Sequence, residues 1–426
     1  MSFNFIWLFV MLFALMALGM PIAFALLVSS FAYISIFKLG FTTAVVQCIQ
    51  APMSQTLLSM GFFILAGNLM NNGGVTRRIF RFCQDLVGWI PGGLGHANVV
   101  ASVIFAGMSG TALGDAGGLG AIEVKAMKDE GFDLDFSLAV TGASSVLGPI
   151  IPPSVPMVML AVITGVSTGR LFFSGVIPGL IAAGGMMFLI WVISVKRHYP
   201  RAPFPKGRVL WDSFRQAFFP LMTPVIILAS IYTGVVTPSE AAVLAAVYAM
   251  IIGIASKDLD IRKIPQIFME SARLLVSVLF IVVATKAFGY IIAVEQVPAY
   301  ISRAIMANVS SPVIGLLLIQ VILVICGCIL DNNATILIVT PVLFPVATAL
   351  GIDPVHFCLV FTFTLMIGVV TPPVGIVLYV LQGMSGIPFG QLCKAMLPFI
   401  ILLFACAILM ALCPALSTWL PSLIFG

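Results

Sequence analysis

Long apolar runs alternate with short polar stretches along the chain, and the runs are continuous rather than patterned in twos. They fall at 3–20, 21–37, 55–71, 97–113, 136–165, 172–195, 217–235, 240–255, 274–294, 312–330, 334–350, 356–381 and 395–421. About 20 apolar residues cross a hydrocarbon core, so these runs predict roughly 12 to 14 helical crossings or partial crossings. A β-barrel would show alternation instead. The one clear polar interruption, 196–216, lies near the midpoint, and Pro200, Pro203 and Pro205 suit a linker between two halves.

The halves are similar to each other. With an offset of 220, residues 107–178 align with 327–398 without a gap: Gly107 meets Gly327, Gly131 meets Gly351, Asp133 meets Asp353, Gly148 meets Gly368, and Pro152-Pro153 meets Pro372-Pro373. An earlier block matches at an offset of 217, Pro21 to Pro238 and Leu57-Leu58 to Leu274-Leu275. Gly, Pro and Asp held in one register indicate a duplication, not chance apolar similarity.

Composition narrows the class. Of 426 residues, 8% are charged and 61% belong to nine apolar types, too little polar material to cover a soluble surface. A soluble enzyme, a disordered chain and a nucleic-acid binder are excluded, and no nucleic-acid partner is expected. The chain reads as an all-α polytopic membrane protein embedded in lipid. The eight cysteines are scattered and read as small apolar residues. The N-terminus lacks a basic region and a small-residue cleavage site, so its first apolar run is expected to remain as a helix.

Charge sets the topology. Lys196, Arg197, Arg201, Lys206, Arg208 and Arg215 place the linker in the cytoplasm; Lys257, Arg262 and Lys263 follow two spans later. Arg77, Arg78 and Arg81 mark another cytoplasmic loop, whereas the equivalent loop after Gln296 offers only Arg303. Equivalent loops on opposite sides mean an inverted repeat, an architecture of secondary transporters. Three full spans between 81 and 196 would give the wrong side. Parity requires 97–128 to enter and return, with 317–350 as a second re-entrant hairpin from the opposite face. Such backbone is tolerated only where protein or a water-filled cavity buries it.

Three places could carry chemistry. Met108-Ser109-Gly110-Thr111-Ala112-Leu113-Gly114-Asp115 forms the first hairpin tip, where small residues leave backbone groups free. Asp115 is ionisable within an apolar region, a functional signal, although a helix cap is the plainer reading. Gly327-Cys328-Ile329-Leu330-Asp331-Asn332-Asn333 forms the second tip, with Asp331 opposite Thr111 and Thr335 opposite Asp115. The third is the pair Gly148-Pro149-Ile150-Ile151-Pro152-Pro153-Ser154 and Gly368-Val369-Val370-Thr371-Pro372-Pro373-Val374. Proline breaks the helix ladder and frees carbonyls; such interruptions at matching positions of two halves point to a transporter binding site, and a simple kink is the alternative. Freed carbonyls with Ser154 and Thr371 are hard oxygen ligands of the kind Na⁺ takes. Glu240 suits a helix start after Thr237-Pro238-Ser239. Lys286 could snorkel or pair with Glu295 or Glu240. Glu123, Lys125, Lys128, Asp129 and Glu130 read as a solvated loop face. The three histidines lack metal-ligand spacing, and no P-loop is present.

These strings resemble the large permease subunit of tripartite ATP-independent periplasmic (TRAP) transporters over nearly the whole chain. The similarity lies in Phe62-Phe63-Ile64-Leu65-Ala66-Gly67, Met70-Asn71-Asn72-Gly73-Gly74, Pro91-Gly92-Gly93-Leu94-Gly95, Ser109-Gly110-Thr111 with Asp115, Gly148 to Pro156, Thr237 to Ala241, and Thr371 to Gly375. Thr111 and Gly114 replace the family's usual Ser and Ala in the first hairpin, and Asn68 stands where some members carry an acid. The resemblance implies a Na⁺-coupled importer of a small organic acid, of sialic acid or C4-dicarboxylate type, in the bacterial inner membrane. It implies an elevator mechanism, with scaffold helices in 1–92 and 217–311 and transport hairpins and helices in 93–195 and 312–426. It implies two partners, a small four-helix membrane subunit and a periplasmic substrate-binding protein. Carried over, one sodium site uses Gly327, Gly368, Thr371 and Val374; the repeat adds a second from Gly107, Gly148, Ile151 and Ser154. Ser109, Thr111, Asp115, Ser154, Asp331 and Asn332 line the substrate pocket or hold the tips beside it. An intramembrane aspartyl protease, suggested by Gly114-Asp115 and Asp331, and a channel are the competing readings.

Overall fold

The computed structural model describes residues 5–50, 55–300, 303, 311–330, 332–372 and 375–426, and the described residues form helices and no strands. The first half runs α1 (Phe5–Ala17), α2 (Ile22–Ile36), α3 (Phe41–Gln50), α4 (Gln55–Asn72), α5 (Val75–Val87) and α6 (Gly93–Ser109). A helical turn Ala112–Gly114 and a π-turn Asp115–Leu119 lead into α7 (Gly120–Asp129), α8 (Leu134–Ser145), α9 (Val155–Thr164) and α10 (Thr168–Arg197). The second half runs α11 (Gly207–Tyr232), α12 (Pro238–Ala255), α13 (Ile264–Val294), α14 (Pro312–Ile329), α15 (Asn332–Ala349), α16 (Pro354–Val369), α17 (Ile376–Ser385), α18 (Phe389–Leu412) and α19 (Ala415–Phe425). Among the described residues, six helices are long and apolar enough to cross a membrane.

Several boundaries differ from the hydropathy reading. Helix α5 was hidden by its charges; only the stripe Val75, Ile79, Phe80 and Cys83 is buried, so it is amphipathic. Helix α10 continues through Lys196 and Arg197, and α11 begins at Gly207, so only 198–206 of the expected 196–216 linker lies between helices. The runs 136–165 and 356–381 are each two helices around a break. Proline supplies several starts. Pro238 follows a capping box in which Glu240 accepts from the Thr237 amide at 2.7 Å and the Thr237 hydroxyl accepts from the Glu240 amide at 3.3 Å.

Contacts between loops fix the topology. Arg78 pairs with Asp258 and donates to the Ser256 hydroxyl at 3.0 Å, so the α4–α5 and α12–α13 connections share one face. The Ala202 amide donates to the Gly88 carbonyl at 3.0 Å, and Asp133 accepts from Arg197 at 3.0 Å and from Tyr199 at 2.6 Å. Both ends of the segment 93–130 therefore meet the linker on this basic face. Asn98 of α6 lies 4.0 Å from the Met127 sulfur of α7, so the two legs run alongside each other. A leg of 17 residues reaches about 25 Å, short of a ~30 Å hydrocarbon core. The segment is a re-entrant hairpin. On the far face, Arg170 donates to the Gly426 carbonyl at 3.0 Å, and the His356 ring lies 2.7 Å from the Ser417 hydroxyl. The second hairpin, α14 and α15, thus closes on the far face, and α16 with α17 returns the chain to the basic face, where Ser385–Pro388 adjoin Asp133–Asp135.

Packing repeats the duplication in reverse. Under the repeat, α2 corresponds to α12 and α4 to α13; α4 packs on α12 while α2 packs on α13. Likewise α8 packs on α18 and its equivalent α16 on α10, and α9 packs on α15 while α17 packs on the turn 112–119. Each contact has a partner with the roles exchanged, the signature of a two-fold relation between halves. Backbone detail agrees: Gly131 and Gly351 both take positive φ, +87° and +77°, two residues past the end of a hairpin leg.

Candidate functional site

The first hairpin tip is seated in the first helix break. Gly110 takes φ +61°, and a Cβ there would lie 2.6 Å from the Pro153 carbonyl oxygen; its own carbonyl accepts from the Val155 amide at 3.3 Å. Gly148 lies as close from the other side, where a Cβ would sit 3.0 Å from the Thr111 carbonyl oxygen. Ser154 caps α9, accepting from the Met157 amide at 3.2 Å and donating to the Pro149 carbonyl across the break. Thr111 caps the following turn, accepting from the Gly114 amide at 3.1 Å, and its carbonyl lies 3.3 Å from the Ser109 hydroxyl. Ser109, Thr111, Gly148 and Ser154 are thus brought together. A Cβ on Gly107 would lie 2.4 Å from Pro224 of α11 and 3.7 Å from the Pro152 oxygen. Ile151 directs its side chain at Gly179 of α10, which leaves only its backbone for the break.

The second half repeats the seating. A Cβ on Gly368 would lie 2.6 Å from the Gly327 carbonyl carbon, and one on Gly327 would lie 3.3 Å from the Gly368 Cα. No other residue type fits there. The Thr371 amide donates to the Gly368 carbonyl at 3.1 Å and its hydroxyl to the Ile367 carbonyl at 2.6 Å, closing the last turn of α16. Asn332 at the start of α15 reaches the Met366 sulfur at 3.7 Å, and its side-chain oxygen is buried without a partner among the described residues. Asp331 and Val374 lie outside the described residues.

Asp115 does not cap a helix with its side chain. It opens the π-turn, is buried beside Ser102 of α6, and neither carboxylate oxygen has a hydrogen-bond partner among the described residues. Glu123 corrects the solvated-face expectation: it is 1% exposed and lies near Asp115, whereas Lys125, Lys128, Asp129 and Glu130 are exposed. The π-turn explains the pairing. Eight residues along a regular α-helix end ~80° round the axis, but one extra residue in a wide turn brings positions 115 and 123 back to one face.

Other polar contacts were not anticipated. Asn98 donates to the Thr141 hydroxyl at 2.7 Å and accepts from Ser144 at 2.7 Å, tying α6 to α8. Gln320 donates to Thr364 at 3.2 Å and to the Ala407 carbonyl at 3.0 Å, tying α14 to α16 and α18. The signal was available as one amide side chain at nearly matching positions within each apolar hairpin leg. Asn68 donates to Ser271 at 2.8 Å.

Residues 9–416 match the family model described as tripartite ATP-independent periplasmic transporter, DctM component. The sialic acid TRAP transporter large permease protein SiaM of Vibrio cholerae is 40% identical over 96% of both chains. The C4-dicarboxylate TRAP transporter large permease protein DctM of Rhodobacter capsulatus is 34% identical over 98% of both. The sialic acid permease SiaT of Haemophilus influenzae is 36% identical over 96% of this chain and 67% of its own length. Among solved structures, the YdaH transporter of Alcanivorax borkumensis superposes with a TM-score of 0.66 at 15% identity, covering 89% of each chain, a likeness of fold alone. With a family model spanning nearly its whole length and relatives matched end to end, the chain belongs to the large permease subunits of TRAP transporters, and it is a transporter, not an enzyme.

Proposed function

We propose that this subunit imports a small organic acid, of the sialic acid or C4-dicarboxylate type, across the bacterial inner membrane, driven by Na⁺ and by an elevator movement. The observation that carries the reading is the pair of hairpin tips, each seated in a helix break of its own half. Broken helices at matching positions are how transporters hold ions and substrates near mid-membrane. The first sodium site is formed by backbone oxygens of Gly107, Gly148 and Ile151 with Ser154; the second is formed by Gly327, Gly368, Thr371 and Val374. Ser109, Thr111, Asp115, Asp331 and Asn332 face or support the substrate between the tips. In this reading α6 to α10 and α14 to α19 move against α1 to α5 and α11 to α13. TRAP systems have three parts, and we assign the other two as a small four-helix membrane subunit that widens the scaffold and a periplasmic protein that delivers substrate.

The test is uptake in proteoliposomes holding both membrane subunits, with the binding protein outside and N-acetylneuraminate or succinate as the labelled solute. Saturable accumulation that requires an inward Na⁺ gradient and the loaded binding protein is expected. Uptake that persists without either overturns the reading, and non-saturating flux favours a channel.

A further inference from the structure

Lys286 is the intramembrane cation that the reading above leaves unused. It projects from the last third of α13, toward the far face, into a cavity of about 330 Å³ lined also by α9, α15 and α3. The two acids that could have neutralised it are engaged elsewhere. Glu295 accepts from the Tyr33 hydroxyl at 2.8 Å, and Glu240 is held in its capping box by Thr237. Lys286 has no ion-pair partner among the described residues. An ammonium in an apolar site is costly unless something anionic or water reaches it.

The cavity has the make-up of a small-molecule site, mostly apolar walls with a few polar groups placed among them. Besides Lys286 it presents Gln47, Tyr290 and Thr340, and the buried Thr340 hydroxyl has no hydrogen-bond partner among the described residues. Its position matters as much. Met159 lies five residues past Ser154 along α9, and Leu337 lies five residues past Asn332 along α15. Five helical residues rise about 7.5 Å, so the cavity stands about one and a half turns beyond the first helix break and the second hairpin tip, on the far-face side. The groups nearest the tips include the acid Asp115, which repels an anion; the cation stands farther out, on the approach.

We propose that Lys286, with Thr340 and Tyr290, binds the carboxylate of the incoming substrate in this cavity before it reaches the hairpin tips. The proposal rests on the import reading above. Lys286→Gln is expected to raise the KM for N-acetylneuraminate, or for succinate if that is the solute the wild-type system accumulates, by roughly tenfold or more, as for loss of one charge-assisted contact. Maximal rate and the sodium activation curve stay close to wild type. Lys286→Arg restores most of the affinity, which a merely structural lysine would not require. Gly289 lines the cavity and a Cβ there meets nothing within 4 Å, so Gly289→Leu directs its side chain into the space and is expected to abolish uptake, with an unchanged melting temperature as the check that the fold is kept. A wild-type system that accumulates neither solute overturns the import reading and this site with it. Wild-type uptake together with an unchanged KM in Lys286→Gln overturns the site alone.

Discussion

Gly368 has no room for a methyl group, and Thr371 sits three residues on with its hydroxyl hydrogen spent on the Ile367 carbonyl. The Thr371 oxygen therefore keeps lone pairs for a cation. Thr371→Ala is expected to raise the half-saturating Na⁺ concentration about tenfold, the effect of losing one ligand worth about 1.5 kcal/mol, with substrate KM at saturating Na⁺ unchanged. Uptake measured against Na⁺ checks it; a wild-type sodium curve removes Thr371 from the site. Asp115→Asn is a separate case. The carboxylate is buried near Glu123 without a partner among the described residues, so removing its charge is expected to leave thermal stability equal or higher. Na⁺-driven uptake is nevertheless expected to fall, and full activity would make this acid dispensable. The chemistry of these positions was legible because Gly and Pro announce broken backbone. The burial of Glu123 was not, since one extra residue in the 115–119 turn rotates everything after it and leaves no mark in hydropathy. Asp331 and Val374, outside the described residues, stay expectations from the sequence and the family resemblance.

At the scale of elements, the seating of tip in break is the unit that holds both halves together. Gly110→Ala is expected to be severe for two reasons. The left-handed backbone costs about 1–2 kcal/mol, and the methyl would press on the Pro153 oxygen, adding about 1–3 kcal/mol of overpacking. Gly131→Ala shares the positive φ but meets nothing within 4 Å, so it pays only the backbone part. A larger fall in melting temperature for Gly110→Ala than for Gly131→Ala, with uptake lost only in the former, is the expected pattern. Element existence was readable wherever a run was apolar throughout. Helix α5 was missed because its buried stripe is only one side wide, and α10 was cut short because Lys196 and Arg197 extend the helix beyond the bilayer.

At the scale of the whole molecule, the duplication predicted the element order and the basic loops predicted the inversion, and the loop contacts on the two faces agree. A consequence can be measured directly. Asp129 and Ala349 are equivalent by the repeat and both exposed. In a cysteine-free background, Asp129→Cys is expected to react with an impermeant thiol reagent only from the cytoplasm, and Ala349→Cys only from the periplasm. Labelling of both from one side would refute the inverted arrangement.

The two hairpins enter from opposite faces and turn back, so both tips lie inside the membrane's electric field. Whatever net charge travels between them is coupled to the transmembrane voltage, worth about 2.3 kcal/mol per elementary charge per 100 mV, or roughly 50-fold in equilibrium accumulation. With two sodium ions, a monocarboxylate such as sialate moves one net positive charge and is concentrated by an interior-negative voltage. A dicarboxylate moves none and is indifferent to it. Clamping proteoliposomes at different potassium diffusion potentials would therefore separate the two substrate classes electrically, without reference to any residue in the pocket.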